Sequence, residues 1–144
     1  MLKLAFNLAD AISDPTKFQI LVDDYNKRIG EVPQILKLLL GNERVNIKIA
    51  LDDGGFIRFG YETNNARIKR VVDGGLRDPT INVIATERAI ERIDNSDDPI
   101  AAFQEERGLG HVIITGRSIT TKVKLDAVLS STSVLRFFCN IFFK

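Results

Sequence analysis

The last twelve residues of the chain, 133–144, constrain the fold most strongly because they are unusually apolar. If the segment is helical, its apolar residues recur at the i, i+3, i+4 spacing of one helix face: Val134, Phe137, Phe138, Ile141 and Phe142. Further apolar residues widen this surface on both sides, at Leu135, Cys139 and Phe143. A surface helix normally has a narrower apolar face. The segment is therefore expected to cover a core, a ligand, a partner or a membrane surface.

The composition is typical of a globular protein with one domain, and we expect residues 1–144 to form it. The chain has 144 residues, 44% of them hydrophobic, and a formal net charge of +1. This charge gives no global attraction to nucleic acid, so we expect no nucleic-acid partner. The single cysteine, Cys139, excludes an internal disulfide and favours a reducing, cytoplasmic location.

Neither end of the sequence has the pattern of a membrane-spanning segment. The first ten residues lack a basic region followed by an unbroken apolar run, which predicts no signal peptide. The apolar segment at the other end is shorter than the about 20 residues that span a bilayer. We therefore expect peripheral membrane contact at most.

Residues 1–41 have the spacing and the punctuation of helices. Apolar residues recur at helical intervals, and Ser13 or Asp14 can cap a helix that has Pro15 in its first turn. One apolar face of that helix contains Phe18, Leu21, Val22, Tyr25 and Ile29. Glycines at 30 and 41 mark the ends of this helix and of a short one that follows.

Residues 44–85 change to the period-two alternation of strands. Turn residues at 52–55 and 64–65 separate the first three predicted strands, which we expect to form an antiparallel meander, and a fourth strand follows at 80–85. On the third strand, Ile68 and Val72 are predicted to lie opposite Val71. The inner face of the sheet is predicted to consist of Val45, Ile47, Ile49, Ile57, Phe59, Tyr61, Ile68 and Val83.

Residues 86–129 are predicted to hold further helices and the last strand. Thr86 and Asp98 are suitable N-caps, and Pro99 suits the first helical position. A fifth strand is predicted at 111–115, and residues 123–129 form a helix or a strand that runs into one. We expect Thr132 or Ser133 to cap a terminal helix over 133–144. The fold class is thus α/β (α+β), with a five-stranded, largely antiparallel sheet and helices covering one face.

The order of these elements and several short motifs resemble the sterol carrier protein type 2 family. The matching segments are residues 78–83 (Asp-Pro-Thr-Ile-Asn-Val), the pairs Asp98-Pro99 and Ala102-Phe103, and residues 110–116 (Gly-His-Val-Ile-Ile-Thr-Gly). The resemblance implies an apolar tunnel between sheet and helices, closed by the terminal helix, with no catalytic residues and no cofactor. Two departures, the longer connection at 104–109 and the polar residues after Gly116, prevent transfer of a ligand identity from the family.

The expected function is non-catalytic binding, and transfer, of a lipid, fatty acyl or isoprenoid ligand. The residues expected to line the lipid pocket are Ile47, Ile49, Ile57, Phe59, Tyr61, Val83, Phe103, Leu125, Leu129, Phe137, Phe138 and Ile141. An inward-facing Tyr61 hydroxyl would need a hydrogen-bond partner, which a ligand or water could supply. The alternative is an interaction module with a filled core, in which the terminal helix pairs with its copy in a homodimer.

No residue pattern points to catalysis or to a metal site. His111 is the single histidine and has no second histidine near it in the sequence, so a structural role is expected. The basic residues Arg58, Arg67, Lys69 and Arg70 are expected on the solvated outer face of the sheet, where they could aid approach to an anionic membrane.

Overall fold

The computed structural model of the protein describes residues 8–12 and 14–143. The start of the predicted first helix, the alternative cap Ser13 and the last residue of the terminal segment lie outside these residues. Three helices come first: α1 (Leu8–Ala11), α2 (Pro15–Lys27) and α3 (Gln34–Leu40). Asp14 caps α2, because its side chain accepts hydrogen bonds from the backbone N–H groups of Thr16 and Lys17 at 3.1 and 3.3 Å.

The five predicted strands are present and form one sheet. They are β1 (Arg44–Ala50), β2 (Phe56–Asn64), β3 (Arg67–Asp73), β4 (Ile81–Thr86) and β5 (Val112–Gly116). Their order across the sheet is β3-β2-β1-β4-β5. The pairing of β1 with β4 is parallel, and the other three pairings are antiparallel. The prediction of a largely antiparallel five-stranded sheet is confirmed.

A β-bulge between β2 and β3 corrects one predicted strand face. Glu62 pairs with Arg70 while the next residue, Thr63, pairs with Ile68, so β3 has one extra residue, Lys69, at this point. The extra residue inverts the alternation beyond it. The side chains of Ile68 and Val71 therefore share the inner face, and the prediction that paired Ile68 with Val72 is wrong.

The connection from β3 to β4 crosses the outer face of the sheet, which the sequence predicted to be simply solvated. Asn46 on β1 holds this segment, because its side chain accepts from Leu76 N at 2.7 Å and donates to Leu76 O at 3.0 Å. The segment passes close to Gly60 on β2. A Cβ atom at Gly60 would lie 2.6 Å from Asn46 Oδ1 and 2.9 Å from Leu76 Cγ, so this approach requires glycine.

The remaining helices are α4 (Glu87–Asn95), α5 (Pro99–Gly108), α6 (Ile119–Leu129) and α7 (Thr132–Phe142). Thr86 and Asp98 cap α4 and α5 as predicted, at 3.0 Å to Ala89 N and 3.1 Å to Ala101 N. The longer connection predicted at 104–109 is mostly the last turn of α5. The terminal helix begins at Thr132 and is capped by Ser131, so the prediction of a cap at 132 or 133 is wrong.

The terminal helix α7 is part of the protein interior. It packs against α2, α5 and α6. Five of its side chains are buried: Val134, Leu135, Phe137, Cys139 and Ile141. The apolar surface that the sequence left unassigned is therefore covered mainly by the helices of the same chain.

Candidate functional site

An apolar cavity of about 320 Å³ lies between the inner face of the sheet and the helices. All five strands and all seven α-helices that the structure describes contribute to its wall. Its volume is near the lower end of the range of about 300–1,000 Å³ that is typical of small-molecule sites. The space is therefore large enough for a single-chain apolar molecule.

The buried apolar residues form three clusters around this cavity instead of one continuous core. The first includes Tyr25 and Phe137, the second Ile49 and Ile93, and the third Leu125. A domain of this kind usually has one contiguous core. Residues from each of the three clusters line the cavity, so the empty volume borders all three.

Nine of the twelve residues proposed from the sequence lie in the cavity wall: Ile47, Ile49, Phe59, Tyr61, Val83, Phe103, Leu125, Leu129 and Phe138. Strand alternation brings the strand residues together on one face. Phe103 comes from α5, and the last three come from α6 and α7. That these side chains contact a ligand stays a prediction.

The other three residues, Ile57, Phe137 and Ile141, do not line the cavity, so their predicted placement there is wrong. Phe137 and Ile141 lie in the cluster between helices, where the Phe137 ring meets Tyr25 edge-on at a centroid distance of 6.0 Å. The reason is that α7 is apolar around most of its circumference, and its spacing alone does not say which side faces the cavity. Ile57 packs against the cluster formed by α4 and the neighbouring strands.

Several cavity residues were missed because they belong to the first helices. Phe18, Val22 and Tyr25 on α2 line the cavity, as does Leu36 on α3. The sequence identified the first three as one apolar helix face. Nothing in the sequence indicated that this face would line the same cavity as Tyr61 on the inner side of the sheet.

The terminal helix is attached to α2 through stacked aromatic rings. The Tyr25 ring lies parallel to that of Phe138, with a centroid distance of 6.3 Å and an interplanar angle of 2°. Phe142 stacks on both rings, at 6.3 and 6.0 Å. Such contacts contribute about 0.5–1.5 kcal/mol each beyond area burial. The cavity wall formed by α7 is therefore fixed to α2 by these aromatic contacts.

Few polar side chains reach the cavity, and most of their hydrogen-bonding groups are already engaged. Tyr25 lines the cavity and donates its hydroxyl hydrogen to the backbone carbonyl of Ala66. The Thr63 hydroxyl accepts from Glu43 N at 2.8 Å and donates to Glu43 O at 3.5 Å. These bonds hold the ends of β1 and β2 together at one part of the cavity wall.

Tyr61 differs from these groups, because its hydroxyl has no hydrogen-bond partner among residues 8–12 and 14–143. Burial raises the pKa of Tyr61 to about 12, so the phenol is neutral at physiological pH. By accessible surface Tyr61 is half-buried, as expected for a side chain that lies inside the protein but faces a cavity. The cavity wall is thus almost wholly apolar, and the Tyr61 hydroxyl in it is free to hydrogen-bond to a ligand.

Two other residues singled out in the sequence are His111, which lies next to a carboxylate, and Cys139, which is buried. His111 Nδ1 lies 3.3 Å from Glu106 Oε1, and Arg92 donates to the same oxygen at 3.0 Å. Burial, with a smaller contribution from Asp98, raises the pKa of the Cys139 thiol to about 11. Within the described part of the chain, no three His, Cys, Asp or Glu side chains come together as a metal site would require.

No single helix within the described ranges is long and apolar enough to cross a membrane, although α6 and α7 together reach that length and composition with a bend of 78°.

A five-stranded sheet with helices on one face and an apolar cavity between the two layers defines an α/β domain with a hollow interior. Solved structures of sterol carrier protein 2 domains have this fold. The sterol carrier protein domain 2 of Helicoverpa armigera superposes with a TM-score of 0.51 at 11% identity, over 83% of this chain and 86% of that one. Sterol carrier protein 2 of Yarrowia lipolytica in its apo form also gives 0.51 at 11% identity, over 83% and 97%.

A conserved hypothetical protein of Thermus thermophilus aligns over 99% of this chain and 97% of its own, with a TM-score of 0.58 and 7% identity. No protein-family model and no curated protein sequence matches the chain. At such identities the likeness concerns the fold, and at that level the resemblance proposed from the sequence is confirmed.

Proposed function

We propose that this protein binds one molecule of an apolar lipid in the cavity between sheet and helices, without catalysis, and transfers it between membranes or partners. The observation that supports this proposal is the cavity itself, which has an apolar wall built from every layer of the fold. Water gains few hydrogen bonds in such a space, so an apolar chain is the favoured occupant. The nine cavity residues predicted from the sequence are the proposed contacts.

The alternative, a homodimer through the terminal helix, has little free apolar surface to use. Val134, Phe137 and Ile141 are no more than 7% exposed within a single chain. A dimer built on these side chains would have to remove them from the interior first. We therefore favour lipid binding over dimerisation through α7.

The burial of α7 limits the experiments that can test its role as a wall of the cavity. Deleting the helix would remove several core side chains and unfold the protein, which would say nothing about ligands. A substitution that narrows the cavity and leaves the core in place is the better test. Val83 is suitable, because it lies on the interior strand β4, between β1 and β5, and lines the cavity.

The test is native mass spectrometry after incubation with vesicles that contain candidate lipids, followed by a vesicle-to-vesicle transfer assay. Wild-type protein is expected to be monomeric with one bound lipid. Val83→Phe is expected to lower lipid affinity, because overpacking the occupied cavity costs about 1–3 kcal/mol, or roughly five- to hundredfold.

Ile84→Phe is the matched control, since Ile84 is the next residue of β4 and is 46% exposed on the outer face. It is expected to bind lipid like the wild type. A dimer without lipid in every preparation, or equal loss of binding in both variants, would contradict the proposal.

A further inference from the structure

The charges at the cavity wall bear on the head group of the ligand. Among the lining residues that the structure describes, Glu43 is the one with a charged side chain, and no lysine, arginine or histidine is present. Proteins bind carboxylates and phosphates through such cations or through several N–H donors. This wall therefore offers an anionic head group no cation.

The cavity does offer one neutral polar group, the Tyr61 hydroxyl. It has no partner among residues 8–12 and 14–143, and it lines the cavity together with Tyr25, Glu43 and Thr63. The Tyr25 hydroxyl gives its hydrogen to Ala66 O, which leaves its oxygen able to accept. A donor at Tyr61 and an acceptor at Tyr25 suit a head group that can both accept and donate a hydrogen bond.

An alcohol has both capacities, whereas a carboxylate accepts only. The Tyr61 hydroxyl is accessible from the cavity and has no protein partner among the described residues, so a ligand that hydrogen-bonds to it gains affinity from that bond. Both tyrosines line this one cavity, Tyr25 from α2 and Tyr61 from β2.

We infer that the ligand is an uncharged single-chain lipid with a hydroxyl head, a long-chain or isoprenoid alcohol, whose hydroxyl lies at Tyr61 instead of in solvent. This inference rests on the proposed function and narrows its ligand class, because it excludes fatty acid anions and phospholipids. The cavity volume of about 320 Å³ agrees with one chain and leaves little room for two.

The test compares two probes of equal chain length, 1-tetradecanol and tetradecanoate, delivered from neutral vesicles to wild-type protein. At about pH 8 the carboxylate is ionised, while the alcohol is neutral. Tetradecanol is expected to bind at least about tenfold more tightly, because the buried anion would lack any cation. Tetradecanoate binding that equals or exceeds tetradecanol binding would overturn the inference, since its head would then lie in solvent or meet a cation.

Two variants locate the head group. Tyr61→Phe keeps the ring and removes the hydroxyl, so tetradecanol affinity is expected to fall by roughly two- to tenfold while tetradecane binding is unchanged. Glu43→Gln removes the one charge among the described lining residues and is expected to strengthen tetradecanoate binding relative to tetradecanol binding. An unchanged preference in both variants would place the head elsewhere and overturn the assignment.

The wild-type comparison needs no variant, so the inference stays testable if Tyr61→Phe folds poorly. The outcomes also separate the two levels of the proposal. Protein that binds tetradecanoate but not tetradecanol retains the proposed function and loses this inference. Protein that binds neither probe nor tetradecane loses both.

Discussion

Because of the cavity, we expect that enlarging a side chain at its wall will not destabilise the protein, in contrast to the same change in a packed core. Val83 lies on β4 between Ile47 of β1 and Ile114 of β5, and all three side chains line the empty volume. In a filled core, enlarging valine to phenylalanine would force neighbouring side chains out of their preferred rotamers at a cost of about 1–3 kcal/mol. Here the added ring has about 320 Å³ of apolar space to enter.

We therefore expect Val83→Phe to leave the free energy of unfolding unchanged or to raise it by about 0.5–2 kcal/mol, the usual gain from filling a cavity. For a chain of this size, each kcal/mol corresponds to about 3 °C in the midpoint of thermal unfolding. The assay is urea unfolding of lipid-free protein, with thermal unfolding as a second measurement.

Val32→Phe is the matched control, because it makes the same change in a packed region. Val32 is 5% exposed, belongs to the helix cluster around Tyr25 and does not line the cavity. It is expected to lose about 1–3 kcal/mol. Equal destabilisation by the two substitutions would refute the reasoning, since the space next to Val83 would then be filled in solution.

Three further predictions follow from individual contacts. Phe137→Ala is expected to lower the free energy of unfolding by about 3–5 kcal/mol in urea unfolding, because Phe137 belongs to the packed cluster; a loss under about 1 kcal/mol would indicate a loosely held tail. Ser131→Ala is expected to lower the free energy of unfolding by about 1 kcal/mol, because it removes the cap of α7. Ser131→Asp is expected to keep the wild-type stability, since aspartate also caps helices. Equal stability of the two variants would contradict a capping role for residue 131. For Tyr61, the folded-state pKa of about 12 exceeds the ordinary value of 10.0, so its contribution to stability is complete below pH 10.0 and is lost as pH rises toward 12. Tyr61→Phe should therefore flatten the alkaline fall in stability, measured by unfolding midpoints across that range, and an unchanged slope would contradict the assignment.

The sequence predicted best the features that depend on neighbouring residues. The caps at Thr86 and Asp98 were predicted correctly because a cap involves residues three positions apart along the chain. The strands were found because alternation is read within a few residues. The cap of α7 was wrong by one position because Ser131, Thr132 and Ser133 all have side chains suited to capping.

Features that depend on residues distant in the sequence were predicted less well. The bulge at Lys69 is set by the pairing of β2 with β3, and it turned Val71 inward in place of Val72. The parallel pairing of β1 with β4 brings the connection at 74–80 across the outer face, over Gly60. Such choices depend on which strands become neighbours, and local periodicity does not contain that information.

The sequence by itself determined that the terminal segment is apolar on most of its surface and that it had to be covered. The tertiary structure decided how it is covered: Phe137 faces the other helices, whereas Phe138 and Phe142 also line the cavity. It also decided that space remains next to these residues. The physical reason is that an internal volume is set by the separation of whole layers, to which every strand and helix contributes, and no single segment of sequence specifies it.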